Sequence, residues 1–343
     1  MTDETQMVAA LDARARRRED RRDFFRAFGA VAAVGGGLAL TSCGGNDSSS
    51  PTPTPTGTAT ATATPTPTPT PTNSSGFTDI DVLNFALNLE YLEAQFYAFA
   101  ANGAGLASNL LTGPSGTTPG AVTGGRKANL SDPVVANYAR EIAQDEVAHV
   151  EFLRNALGST AIAMPALDIS ATATSAFSNA ARAAGLIGQG ATFDPYENDD
   201  NFLLAAFLFE DVGVTAYRGA LGGIANALIR QAAAGILAAE SYHAAMIRSA
   251  LYTRGVSTPA LIDSSEAISN ARDTLDGAAE IDQGVRPIGD QSNIMPFDAT
   301  TGLPYGRTTG QVLNIAFLNR NAVTSGGFFP SGVNGNIKTS AAN

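Results

Sequence analysis

Between Phe77 and Gly255 the chain sets out four long segments whose apolar residues recur at steps of three and four, a period that suits helices and not strands. On each segment that apolar stripe is broken by the same few kinds of side chain. The segment from Asp132 to Leu157 presents Val135, Ala139, Ile142, Glu146, His149, Leu153 and Leu157, and that from Ile224 to Arg254 presents Ile229, Ala233, Ile236, Glu240, His243, Ile247 and Leu251. The segment from Thr78 to Ala101 carries Glu90 and Tyr97 on its stripe, and that from Asn201 to Ala220 carries Glu210 and Tyr217. Local signals mark the ends: Thr78 with Asp81 reads as a capping pair, Asp132 precedes a proline in the first turn, and Gly255 reads as the stop of the fourth helix. The expected fold is therefore all-α, with four helices around one core.

The pattern E-x6-Y followed by E-x-x-H occurs twice in order, so four carboxylates and two imidazoles point toward one interior. Residues three apart share a helix face, which lets one helix supply a carboxylate and an imidazole to the same place. With 12 glutamates in 343 residues, chance would place one three residues before both histidines of the chain only about once in a thousand sequences. A lone histidine on an apolar face is usually a core residue with a satisfied hydrogen bond, but six such donors on four helices are not explained that way. Unpaired carboxylates in an apolar interior cost several kcal/mol each, and two divalent cations reverse that cost. The candidate ligands are Glu90, Glu146, His149, Glu210, Glu240 and His243. Glu93, three residues after Glu90, is the alternative on the first helix; Glu90 is preferred because its spacing to Tyr97 reproduces that of Glu210 to Tyr217.

Composition narrows the chemistry further. The net charge of −11 repels phosphates, so a nucleic-acid partner is not expected. The single cysteine, Cys43, excludes a disulfide framework and a thiolate site in the folded part. Any metal must be held by oxygen and nitrogen.

Residues 1–43 read as an export signal, with paired Arg21 and Arg22, a short apolar run from Ala27 to Ala39, and small residues before Cys43. The arginines resemble a twin-arginine signal and Leu40-Thr41-Ser42-Cys43 a lipobox, which implies export after folding and lipid attachment to a membrane through Cys43. Residues 44–76 are mostly a Pro-Thr alternation, a polyproline II spacer able to reach on the order of 100 Å. The bundle is then expected over 77–255, and a Gly-, Asn- and Pro-rich extension over 256–343, with one helix near 309–318 and with Phe328 and Phe329 packed on the bundle.

The ligand pattern Glu, E-x-x-H, Glu, E-x-x-H resembles that of the ferritin-like superfamily, whose members hold two iron or manganese ions in a four-helix bundle. The resemblance implies a phenol beside the metals at Tyr97 and Tyr217. It also matches Asp145 to the aspartate that orients a histidine of the partner helix, here His243, whereas Ala239 stands at the equivalent place before Glu240. The stretches "FDPYENDDNFLLAAFLFEDVGVTAYRGA" and "GRTTGQVLNIAFLNRNAVTSGGFFPSGVNG" look like the desiccation-related ferritin-like proteins of bacteria and plants. Two functions are open at this point: a dinuclear metalloenzyme acting on peroxide or dioxygen, and a non-enzymatic stress protein whose metals brace the bundle. A lipid tether and a long tail speak against a closed storage cage.

Overall fold

A computed structural model of the chain describes residues 76–114 and 117–343. The expected export signal, the lipidation site Cys43 and the Pro-Thr spacer lie outside these residues. In chain order the helices are α1 (Asp79–Asn102), α2 (Pro133–Leu157), α3 (Ala176–Ala183), α4 (Asp199–Ala220), α5 (Ala227–Ser257), α6 (Pro259–Asp276) and α7 (Thr309–Ala316). Two short strands, β1 (Val122–Gly124) and β2 (Leu167–Ile169), pair in parallel with Val122 opposite Leu167. Among the described residues no helix is long and apolar enough to cross a membrane.

Helix ends fix the topology. Thr78 and Asp81 form the capping box that starts α1, and the Asp132 side chain caps α2 ahead of Pro133. Two further carboxylates tie helix starts together. Asp79, in the first turn of α1, accepts the backbone N–H groups of Ala225 (2.9 Å) and Asn226 (2.8 Å), where α5 begins. Asp199, in the first turn of α4, accepts those of Ser131 (3.3 Å) and Asp132 (3.2 Å), where α2 begins. So α1 and α5 start at one end of the bundle and α2 and α4 at the other. Since only residues 221–226 join α4 to α5, each of the pairs α1/α2 and α4/α5 is antiparallel, and the 158–198 crossover runs the length of the bundle. The duplicated ligand pattern thus has a duplicated end tie.

The two pairs pack most extensively within themselves and face each other across the core. Helices α2 and α5 bury one face, as amphipathic helices do, but α1 and α4 are buried nearly all round. Their outer sides are covered by the connections and the C-terminal extension: the Asn88 side chain bonds the backbone of Asn334, and α6 and α7 lie against α4. Phe328 closes an aromatic cluster, 5.0 Å from Phe177 and 4.9 Å from Phe209 between ring centres, and Phe329 is fully buried beside Phe317.

Two expectations change. Gly255 does not stop the fourth helix, which continues to Ser257; a Cβ there would lie 2.5 Å from Ile262 Cγ1, so the glycine lets α5 and α6 approach. The extension is less irregular than its composition implies, because it opens with the 18-residue α6. That helix belongs to a buried charge cluster. Arg272 bonds Asp211 (3.1 Å) and Asp282 (2.5 Å); Arg307 bonds Asp276 (2.6 Å), Asp282 (2.7 Å) and Thr215 (2.8 Å); Arg248 bonds Asp211 (2.8 Å). Three buried guanidiniums and three buried carboxylates balance, and they clasp the extension to α4 directly behind Glu210.

Candidate metal centre

Helices α1, α2, α4 and α5 bring Glu90, Glu146, His149, Glu210, Glu240 and His243 to one point midway along the bundle, and none of the six is more than 1 % exposed. His149 Nδ1 lies 3.2 Å from Glu90 Oε2, 3.7 Å from Glu146 Oε2 and 3.5 Å from Glu240 Oε1. His243 Nδ1 lies 3.0 Å from Glu146 Oε1 and 3.5 Å from Glu210 Oε2. Glu146 therefore turns one oxygen toward each imidazole. The donors divide into two overlapping groups, Glu90–Glu146–His149–Glu240 and Glu146–Glu210–Glu240–His243, each with four ligand atoms within 4.8 Å of one another. Glu146 and Glu240 belong to both.

Hydrogen bonding leaves this cluster unfinished. Both oxygens of Glu146, Glu210 and Glu240, and Nδ1 of His243, are buried without a hydrogen-bond partner. His243 Nδ1 and Glu146 Oε1 are close enough to bond, at 3.0 Å, but are not aligned to do so. Buried polar atoms are rarely orphaned, and so many in one place fit a cation better than any arrangement of protons. Each group can hold a metal ion. The charges agree, since four carboxylates with two neutral imidazoles balance two divalent ions.

Without a cation the site is electrostatically strained. Burial pushes the Glu90 carboxyl up to about 7, although His149 beside it works in the other direction. Burial also drives Glu240 and Glu93 well above the usual carboxylate range, and neighbouring carboxylates add to the effect. Burial raises Glu210 as well, with His243 opposing. Burial would raise Glu146 too, but His149 and then His243 outweigh it, and this carboxyl falls below its ordinary value. Both imidazoles are held well above 6.5 by the surrounding carboxylates despite their own burial.

The residues around the donors orient them. Tyr217 donates its hydroxyl hydrogen bond to Glu90 Oε1. Tyr97 is buried with the Glu210 carboxylate beside it, and burial and that charge both raise its phenol. The outer nitrogen of His243, Nε2, lies 3.3 Å from Asp145 Oδ2. With the proton on Nε2 and donated to Asp145, Nδ1 is left with a free lone pair facing the carboxylates.

Of the two candidates on α1, Glu90 lies in a donor group and Glu93 in neither. Glu93 is nonetheless buried, and it sits beside Glu240 at Gly213: a Cβ on that glycine would be 2.3 Å from Glu240 Oε2 and 3.4 Å from Glu93 Oε1. Sequence reasoning missed Gly213. A glycine three residues after Glu210, in the interior of a helix whose other glycine, Gly219, lies in its last turn, was the available signal.

Residues 78–253 match the ferritin-like domain family, a span that covers half of the chain. This protein belongs to that family. It is 32% identical over 274 residues to "Ferritin-like catalase Nec2" of Nesocodon mauritianus, an alignment covering 76% of this chain and 84% of that protein. It is 34% identical over 220 residues to "Desiccation-related protein PCC13-62" of Craterostigma plantagineum, covering 62% of this chain and 65% of that protein. No solved structure matches the chain.

Proposed function

We propose that the chain binds two divalent ions of iron or manganese, one in each donor group, and dismutates hydrogen peroxide as an exported, membrane-tethered protein of stress protection. The observation that carries this reading is the sharing of Glu146 and Glu240 between the two groups, which would couple two ions at one site. The relative named as a catalase supports the choice of peroxide. When bound, such a pair exchanges the two electrons that reduce one peroxide to two waters and oxidise another to dioxygen. The two protons released by the second peroxide are those the first consumes, so the cycle needs no outside acid or reductant.

The residues of this chain set the conditions for that chemistry. Glu90 and Glu210 each serve one group and Glu146 and Glu240 both, so the charge of the pair is neutralised inside an apolar bundle that excludes bulk water. Tyr217 fixes the Glu90 carboxylate, and Asp145 fixes the tautomer of His243.

The test is metal analysis of the purified protein followed by oxygen release from peroxide. About two ions per chain, with dioxygen evolved in proportion to metal content, is the expected result; Glu210→Ala lowers both. Two bound ions and no dioxygen would favour the other reading, a non-enzymatic stress protein whose metals brace the bundle. A protein that takes up no iron or manganese would overturn both readings.

A further inference from the structure

The donors are sealed on most sides; Asp145, partly exposed, lies at the outer nitrogen of His243, and of the carboxyls buried among the donors Glu93 keeps a residual exposure, 6% against 0% for Glu90, Glu146, Glu210 and Glu240. Glu93 forms part of the wall of a cavity between α1, α4 and α7, with Leu92, Leu208, Val312 and Phe328 among the other walls and Gly213 at its inner edge. Apart from Glu93 the lining is apolar. The half-buried Leu89 and Val212 mark its outer edge. Its volume is about 30 Å³, and since a cavity needs about 10–15 Å³ to hold one water, it has room for a diatomic molecule and little more.

The position of Gly213 joins this space to the metal donors. Any side chain there would press on Glu240 Oε2, a shared donor, so Gly213 touches the site on one side and, with Glu93, walls the cavity on the other. The lining decides what would occupy it. Water and peroxide lose hydrogen bonds on entering walls of this kind, whereas a small apolar molecule loses none, and apolar cavities stay dry and take up gases such as xenon.

We infer that this cavity is a dioxygen pocket, holding the gas beside the shared carboxylate Glu240 on its way between the metal site and solvent. The inference rests on the peroxide reading, in which dioxygen is the product, but the pocket itself can be examined without turnover. The C-terminal extension supplies Val312, Ala316 and Phe328 to it, which gives that extension a part in the site as well as in stability.

The experiment uses xenon as the probe. Crystals of the metal-free protein under xenon pressure are expected to show an atom between Leu208, Val312 and Phe328, and Ala316→Val and Ala316→Leu are expected to abolish it by filling the space. Ala181→Leu serves as control, because it fills a neighbouring apolar cavity lined by Phe177, Ala181 and Ile268, which shares Leu208 and Ile315 with the first but not Gly213 or Glu93. In metal-loaded protein the Ala316 variants are expected to keep their metal and lower the turnover rate on the order of tenfold, as slowed product release does, while the control does not. Absence of xenon from the wild-type cavity overturns the pocket. Xenon bound, with turnover in the Ala316 variants equal to wild type, overturns its role as a route. Xenon bound and lost on filling, in a wild type that is metal-loaded yet inactive, upholds the gas pocket and overturns the peroxide reading alone.

Discussion

Removing the metals should leave a bundle that prefers mildly acidic solution, contrary to the usual behaviour of buried, paired carboxylates. Glu90 carries the calculation. Its folded-state pKa of about 7 stands above the ordinary 4.5 because burial disfavours the charged form. A group whose folded pKa is raised contributes stability that is complete below the unfolded value and is lost as pH rises through the folded one. At about 1.4 kcal/mol per pH unit, the interval corresponds to a loss of about 3 kcal/mol between pH 4.5 and 7. The other raised groups, Glu93, Glu210, Glu240 and both imidazoles, act with the same sign. Glu146 has the opposite sign, but its contribution is present above 4.5 and disappears only at far lower pH, outside this window. The assay is urea unfolding of chelator-treated protein at intervals across the window, compared with Glu90→Gln, whose amide imitates the protonated acid and still accepts from Tyr217. The wild type should lose stability as pH rises, and the variant should lose about 3 kcal/mol less. Adding metal should reverse the trend, because ions take the place of protons and compete with them. Equal slopes for the two metal-free proteins, or wild-type stability that climbs from pH 5 to pH 7, would refute the reasoning.

Three further outcomes follow from the geometry. Asp145→Asn removes the charge that holds the His243 proton on Nε2 and should weaken metal binding about 10- to 100-fold with the helical circular dichroism unchanged; competition with a metal indicator measures it. Gly213→Ala would gain about 1 kcal/mol in an ordinary helix, but here the new Cβ meets Glu240 Oε2 at 2.3 Å. It should lower metal affinity on the order of tenfold, and metal retention on dialysis equal to wild type would show that Glu240 takes no part in holding the metal. Arg272→Met leaves Asp211 and Asp282 short of a counter-charge in the clasp and should cost about 3–5 kcal/mol in urea unfolding, far more than the exposed pair Arg286–Asp263 when broken in the same way.

What could be read from the sequence, and what could not, follows from how far each signal reaches. The six donors were visible because each interrupts an apolar stripe of period 3.6, and that information lies within a single helix. Asp145 was visible only by resemblance: its partner is 98 residues away on α5, and the spacing of residues on α2 does not point to it. Glu93 looked like a rival to Glu90 because it lies three residues away, and a stripe reading assumes that only one side of a helix is buried. Helix α1 is buried nearly all round, so both carboxyls lie inside and burial alone does not choose between them.

The same assumption hid α6, and the reason shows what the extension does. Its buried face includes Ser265, Ser269, Arg272 and Asp276, polar residues that weaken the hydrophobic periodicity by which helices are recognised. Arg272 and Asp276 are tolerated inside only because Asp211, Asp282 and Arg307 arrive from elsewhere in the chain to pair with them, and unpaired they would be among the most costly groups in the fold. Because Arg272 also donates to the Phe207 carbonyl (2.8 Å) and Arg307 to the Thr215 hydroxyl, the clasp takes hold of α4 on both sides of residues 208–213, the stretch that meets the metal donors and the cavity. The extension is thus the outer support of that stretch. Loosening it should disturb Glu210 and the Gly213 contact before it unfolds the four-helix core.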